Sequence, residues 1–147
     1  MIQKTREFNL LAGAKLPDDF TLPSKEVFKL QIELLKEELQ ELAEAYVEND
    51  KTECLDALID IAYVLFGTIN RFGAHKVIKE GFDRVHNSNM SKFCKTKGEA
   101  DRTKEHYEGK NIPCKIHKQG SYFVVKSERG KVLKSVDYTR VFLEDLI

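Results

Sequence analysis

The strongest periodic signal in the chain is a series of apolar residues at Phe28, Ile32, Leu35, Leu39, Leu42 and Tyr46. Alternating steps of four and three place one apolar stripe along a helix. Ser24 stands before the series as a good N-cap, and Asn49-Asp50 breaks it. A second helix is predicted over about residues 51–72. Asp50 and Glu53 have the spacing of a capping box at its start. This helix is apolar on more than one face, through Leu55, Leu58, Ile59, Ile61, Ala62, Leu65, Phe66 and Ile69. A helix of that kind is central in a bundle or buried at a subunit interface. Gly67 within it costs about 1 kcal/mol relative to alanine, which predicts a close helix approach there. Phe72-Gly73 ends the helix.

The flanking segments carry weaker signals. Residues 3–13 read as a short amphipathic helix with Phe8, Leu10, Leu11 and Ala12 as its apolar set, closed by Gly13. Residues 14–24, with Pro17 and Pro23, read as a loop. A helix over roughly 75–86 puts Val77, Ile78, Phe82 and Val85 on one face, and the polar run 86–92 then interrupts the pattern. Residues 97–108 suit a polar helix. The β-prone segments 121–126 and 131–134, flanking Ser127-Glu128-Arg129-Gly130, predict a hairpin. Val141-Phe142-Leu143 is expected to dock on the body. The fold class is therefore mainly α, a helical bundle with a small C-terminal β-hairpin. The expected organisation is a core over 1–95, with 96–147 as an extension of the same domain.

Charge changes this picture locally more than globally. The 147 residues carry 24 basic and 24 acidic side chains, so no overall basic field invites nucleic acid. Acids concentrate over residues 33–60 and lysines over 92–134, an asymmetry suited to a metal-bound, phosphate-bearing ligand. Solvated helix faces would give the same composition. Cys54, Cys94 and Cys114 match neither a zinc spacing nor a disulfide framework. The N-terminus lacks a signal-peptide apolar region. No apolar run approaches the ~20 residues of a membrane span. A cytoplasmic, reduced protein with no membrane or nucleic-acid partner is expected.

The candidate chemistry lies in two acidic clusters, Glu37-Glu38-Leu39-Gln40-Glu41 and Glu53 to Asp60. Glu38 and Glu41 are three residues apart, and Glu37 and Glu41 are four, spacings that share a helix face. Asp56 and Asp60 repeat this on the next helix, inside an apolar run where an unpaired carboxylate is costly. Antiparallel packing of the two helices would bring four or five carboxylates to one height. Mutual repulsion would then raise their pKa values unless cations neutralise them. All-oxygen ligands select Mg²⁺ or Mn²⁺. Glu44 and Glu48 read as solvated surface, and Glu53 has an alternative role in the cap.

These residues resemble the all-α nucleoside triphosphate pyrophosphohydrolases, the superfamily of MazG, the dimeric dUTPases and the phosphoribosyl-ATP pyrophosphohydrolases. The resemblance rests on Leu34 to Leu42, Asp56 to Gly67 and Val85 to Phe93, with Phe8-Asn9 and Gly130 to Ser135 in support. It is closest to the phosphoribosyl-ATP-pyrophosphohydrolase-like branch and covers residues 1 to about 93. It implies a MazG-like bundle that hydrolyses a (d)NTP between its α and β phosphates, giving (d)NMP and pyrophosphate in nucleotide-pool housekeeping. It further implies Mg²⁺ (or Mn²⁺) on Glu38, Glu41, Asp56 and Asp60, with Glu53 as a further member, and Glu37 orienting or deprotonating water. Asn9, Ser88, Asn89, Lys92, Lys131 and Lys134 would be substrate contacts, with Lys126 also on the hairpin. The family's second motif is usually ExxD, whereas Ala57 stands three residues before Asp60. The metal-facing pair is then either Asp56 with Asp60 or Glu53 with Asp56. The lysine-rich C-terminal segment is extra to the short histidine-pathway enzymes and points away from phosphoribosyl-ATP as substrate. A homodimer or dimer of dimers is implied, in line with the apolar second helix. Two rival readings are a non-catalytic helical dimerisation module and a di-iron carboxylate bundle. The latter wants two Glu-x-x-His motifs, and Asp83-x-x-His86 is the nearest match.

Overall fold

A computed structural model describes all residues 1–147. Its contacts divide the chain into two compact units, Met1–Lys79 together with Ile147, and Glu80–Leu146. The expected boundary near residue 95 lies inside the second unit. No helix is long and apolar enough to cross a membrane.

The first unit is helical: α1 (Ile2–Leu11), α2 (Lys25–Glu48), α3 (Lys51–Arg71) and a 3-10 turn over Ala74–Lys76. The helix ends follow local chemistry. Ser24 Oγ accepts from Val27 N at 3.3 Å at the start of α2. Asn49 closes α2 in the left-handed region at φ 57°, a conformation asparagine tolerates. Asp50 then caps α3 by accepting from Thr52 N and Glu53 N at 2.9 and 3.0 Å. The reciprocal half of the expected capping box does not form. The Asp50 amide donates to Ala45 O at 2.9 Å, which leaves the Glu53 side chain outside the cap. A two-residue connection makes α2 and α3 an αα-hairpin. Gly73, at φ 66°, ends the helical run where a Cβ would lie 2.2 Å from the Asp19 carbonyl oxygen. Only glycine fits that crossing.

The interior of this unit is unexpectedly polar. Between α1 and α3, Asn70 is fully buried and its amide donates to Ile2 O, Thr5 Oγ1 and Phe66 O at 3.0–3.1 Å. Asn9 packs against Gly67 with its amide 3.5 Å from the Gly67 carbonyl, so the glycine does mark a close helix approach. Between α2 and α3, Thr68 donates to buried Gln31 at 3.1 Å. The predicted apolar face of α1 is corrected. Thr5 and Asn9 are its buried residues, while Phe8, Leu10 and Leu11 stay exposed, because Asn70 needs polar partners across the interface. The α2 stripe is only partly covered, with Leu39 and Tyr46 exposed. On α3 the sole buried residues are Ala57, Gly67 and Asn70, and Leu55, Leu58, Ile59 and Leu65 face solvent.

The second unit contains α4 (Ile78–Met90) from Glu80 onward, α5 (Lys97–Glu108), the strands β1 (Cys114–Gln119) and β2 (Tyr122–Ser127), and a 3-10 turn over Glu144–Leu146. Two expectations are corrected. The helix predicted to stop near 86 continues to Met90, because Ser88 is buried against the chain's tail rather than breaking out. The partner of the 122–127 strand is chiefly 114–119, with Cys114 opposite Ser127 and Gln119 opposite Tyr122. The predicted partner at 131–134 contributes a bridge at Val132 and a bond from Leu133 N to Val125 O at 2.8 Å. Cys94 closes the other side of the sheet through paired bonds with Phe123 at 2.8 and 2.9 Å. Cys94, Ala100, Cys114, Val125 and Leu133 form an apolar core, with Tyr107, Ile116 and Phe123 packed on it. All three cysteines are free thiols. The tail is fastened back: Ser135 N donates to Lys92 O at 3.2 Å, Ser135 Oγ bonds Glu99, and Arg84 bridges Glu80, Asp145 and the Phe142 carbonyl.

Candidate active site

Glu37, Glu38 and Glu41 lie on α2, and Asp56 and Asp60 on α3. The helix spacing aligns each set, and the αα-hairpin with its Gln31–Thr68 tie fixes one helix against the other. Glu38 is the centre of the group. Its Oε2 atom is buried and has no hydrogen-bond partner. Burial pushes its carboxyl pKa up, and the charges of Glu41, Asp60, Glu37 and Asp56, in that order, push it further. Five sequence-predicted acids therefore share one electrostatic neighbourhood. Glu53 is exposed in the first turn of α3.

The anticipated burial of the α3 acids is only half realised. Asp60 is half-buried, but Asp56 is exposed, because the apolar residues around it are exposed as well. No three Asp, Glu, His or Cys side chains stand in a ligating arrangement. Bare carboxylates repel and splay. The donor set nevertheless fits a hard divalent cation: it is all oxygen, its members recur at three- and four-residue spacings on two successive helices, and one buried oxygen lacks any partner. An unpartnered buried carboxylate oxygen is costly to keep, and a cation removes the cost.

The second unit brings together a further group of predicted residues. Ser88 and Asn89 lie in the last turn of α4, with Lys92 just beyond it. Lys92 Nζ donates to Asn89 Oδ1 at 2.6 Å. Ser88 Oγ hydrogen-bonds the Thr139 carbonyl at 2.9 Å and the Tyr138 hydroxyl at 3.1 Å. Lys134 Nζ lies 4.2 Å from the Tyr138 ring centroid. The Ser88 hydrogen bond pulls the Tyr138 phenol down, burial opposes it, and the ammonium charges of Lys134 and Lys92 add smaller downward effects. Both lysines thus converge on Tyr138, a residue the sequence reading did not single out. Its only signal was an aromatic following Lys131 and Lys134 in a polar stretch. Lys131 is separate, exposed beside the Gly130 turn, where its amide donates to Ser127 Oγ at 3.2 Å. Asn9 is also separate, buried at the α1–α3 interface.

An αα-hairpin with paired acids, followed by a helix with a polar, lysine-bearing end, is the arrangement of a helical MazG-like fold. The sequence model of the phosphoribosyl-ATP pyrophosphohydrolase family matches residues 5–89, more than half of the chain. The chain belongs to that family, a branch of the MazG-like nucleoside triphosphate pyrophosphohydrolase superfamily. It is also similar to an uncharacterised protein of Acanthamoeba polyphaga mimivirus, 38% identical over 65 residues. That match takes in 44% of this chain and 26% of the viral protein, so the chain spans about a quarter of that relative's length.

Proposed function

We propose that the protein is a Mg²⁺-dependent nucleoside triphosphate pyrophosphohydrolase, converting a (d)NTP and water to (d)NMP and pyrophosphate as nucleotide-pool housekeeping. The observation that carries this reading is the buried, unpartnered Oε2 of Glu38 amid the charges of Glu41, Asp60, Glu37 and Asp56. Family membership supports the class of reaction. Glu38, Glu41, Asp56 and Asp60 would hold the ions, and Glu53 stands as a peripheral member. Magnesium, with manganese as a substitute, would neutralise phosphate oxygens and make water more acidic. Glu37, next to Glu38 and exposed, accepts the proton of the attacking water. The new P–O bond forms at the α phosphorus, the α–β anhydride bond breaks, and its electron pair leaves with pyrophosphate. Within the second unit, Ser88, Asn89, Lys92 and Lys134 are assigned to the phosphates, and Lys131 to an outer contact. Asn9 remains the proposed base contact, although its amide is turned to Gly67.

The chain is proposed to act as a homodimer or a dimer of dimers. The support is the apolar surface of α3, where Leu55, Leu58 and Ile59 are each more than half exposed. A panel of NTPs and dNTPs, scored for pyrophosphate against orthophosphate with Mg²⁺ and with chelator, tests the reading. Metal-dependent pyrophosphate release is expected, and Asp60→Asn or Glu38→Gln should lower it about a thousandfold. Orthophosphate as the product, or equal rates in chelator, would reject it.

A further inference from the structure

The second unit contains a device that the proposed activity does not by itself require. Lys134 follows the turn at Gly130, and a lysine there would ordinarily wave in solvent with some 2 kcal/mol of rotamer entropy. Here its ammonium is seated over the Tyr138 ring at 4.2 Å. The ring is itself held, since Tyr138 N donates to Ser135 O at 3.0 Å and its hydroxyl meets Ser88 at 3.1 Å. Ser135 is buried and tied to Glu99 and to the Lys92 carbonyl, and the adjacent Val136 N donates to Thr103 Oγ1 at 3.1 Å. Ser91 Oγ accepts from Thr139 N at 3.0 Å. The stretch Leu133 to Thr139 is therefore stitched to the end of α4 and to α5 on both sides of the tyrosine.

Lys92, whose carbonyl accepts from Ser135 N next to Lys134, is oriented by Asn89, and its charge also acts on Tyr138. One ammonium thus sits on the ring and the charge of a second acts on the same residue. Like charges brought together cost free energy unless an anion joins them. A cation over an aromatic face keeps its outward side open to a ligand. Lysine serves polyphosphates as a point charge, so its placement decides its value.

We infer that Tyr138 is a positioning residue that pre-sets Lys134 beside Lys92 as a two-lysine clamp for a diphosphate group, the β,γ end of the substrate and the pyrophosphate product. The inference rests on the pyrophosphohydrolase reading, but it makes a claim of its own about which residues grip the leaving group. Tyr138 does not touch the reacting atoms. It holds the lysine, and its ring matters more than its hydroxyl.

Binding of inorganic pyrophosphate to the full chain, measured by calorimetry with and without Mg²⁺, reads the clamp without needing turnover. A cation–π contact of ordinary strength predicts that Tyr138→Leu weakens pyrophosphate binding about fivefold and Tyr138→Phe less than about twofold. Losing the charge in Lys134→Met should weaken it about tenfold, and the double variant about tenfold rather than fiftyfold, because the ring acts through the lysine. In steady-state assays Tyr138→Leu should raise KM while leaving kcat nearly unchanged, which a general loss of folded enzyme would not do. The ε-methylene protons of Lys134 should show an upfield ring-current shift by NMR in the wild type and in Tyr138→Phe. That measurement stands even where Tyr138→Leu fails to fold. Wild-type affinity in Tyr138→Leu, multiplicative losses in the double variant, or an unshifted Lys134 would each overturn the inference. Pyrophosphate binding that shows this pattern in a protein with no hydrolase activity would reject the enzyme reading and leave the clamp standing.

Discussion

Both units bury polar side chains, but only the second builds a core of larger apolar ones beside them, while the buried apolar residues of the first are all alanines. The second closes on an apolar core of Cys94, Ala100, Cys114, Val125 and Leu133. The first buries Thr5, Asn9, Gln31 and Asn70 at its helix contacts and leaves Leu55, Leu58, Ile59 and Leu65 outside. Hydrophobic burial is the main favourable term in folding, and the second unit draws on it more than the first. Amide ladders set which helix faces meet, but they contribute little net free energy each. The acid-bearing unit thus leaves a buried carboxylate oxygen of Glu38 unpartnered and an apolar stripe of α3 uncovered, the two features on which the proposed cation and the proposed second copy rest.

The sharpest way to break that comparison is to charge the exposed stripe. Leu58→Asp should weaken self-association about a hundredfold, as for a central interface residue, and should make the melting temperature of the first unit insensitive to protein concentration. Analytical ultracentrifugation beside thermal melts would check this. A wild type that is monomeric at every concentration, with Leu58→Asp melting identically, would show the first unit to be self-sufficient. Next in size is the core of the second unit. Val125 is 1% exposed, and Val125→Ala should cost about 2 kcal/mol at any protein concentration, with self-association unchanged. A concentration-dependent loss there would blur the distinction.

The smallest expected effect is a difference in acid response. Glu38 has a folded-state pKa raised above the ordinary glutamate value of 4.5. Its charged form is therefore the disfavoured one, and metal-free protein should gain stability in the first unit as pH falls from neutral toward 4.5. Glu99 goes the other way. Burial alone would raise its pKa, but hydrogen bonds from Ser135, Lys95 and Thr96 outweigh that and hold it below 4.5. Its contribution is present above 4.5 and is lost as pH falls through the depressed value. Melts in chelator from neutral pH down through that depressed value, with Glu38→Gln and Glu99→Gln as controls, should show a rise above 4.5 abolished by the first substitution and a fall below 4.5 abolished by the second.

Much of this was legible in the chain because helix ends are decided locally. Ser24, Asn49-Asp50 and Gly73 each mark a boundary that the structure keeps. The acids of α2 and α3 were legible for the same reason, since spacings of three and four fix their face whatever surrounds them. What was not legible depended on partners distant in sequence. Asn70 inverted the buried face of α1 by demanding Thr5 and the Ile2 carbonyl, 65 and 68 residues away. Strand β1 was hidden because Lys115, His117 and Lys118 dilute its alternation, and Cys114 and Ile116 alone mark its inner side. The run from His86 to Met90 looked like a helix break by propensity, and the bonds from Ser88 and Ser91 to Thr139 overrule it. Tyr138 became visible only when the fold set Lys134 on its ring and brought the charge of Lys92 to bear on it.

The Gly73 crossing bears on heredity rather than on energy. With the Asp19 carbonyl 2.2 Å from where any Cβ would stand, the path of the Pro17–Phe20 loop and the identity of residue 73 can only change together. Among descendants of this chain, a side chain at that position would mark a rerouted loop, and so a lineage whose first helix is strung to α2 in another way.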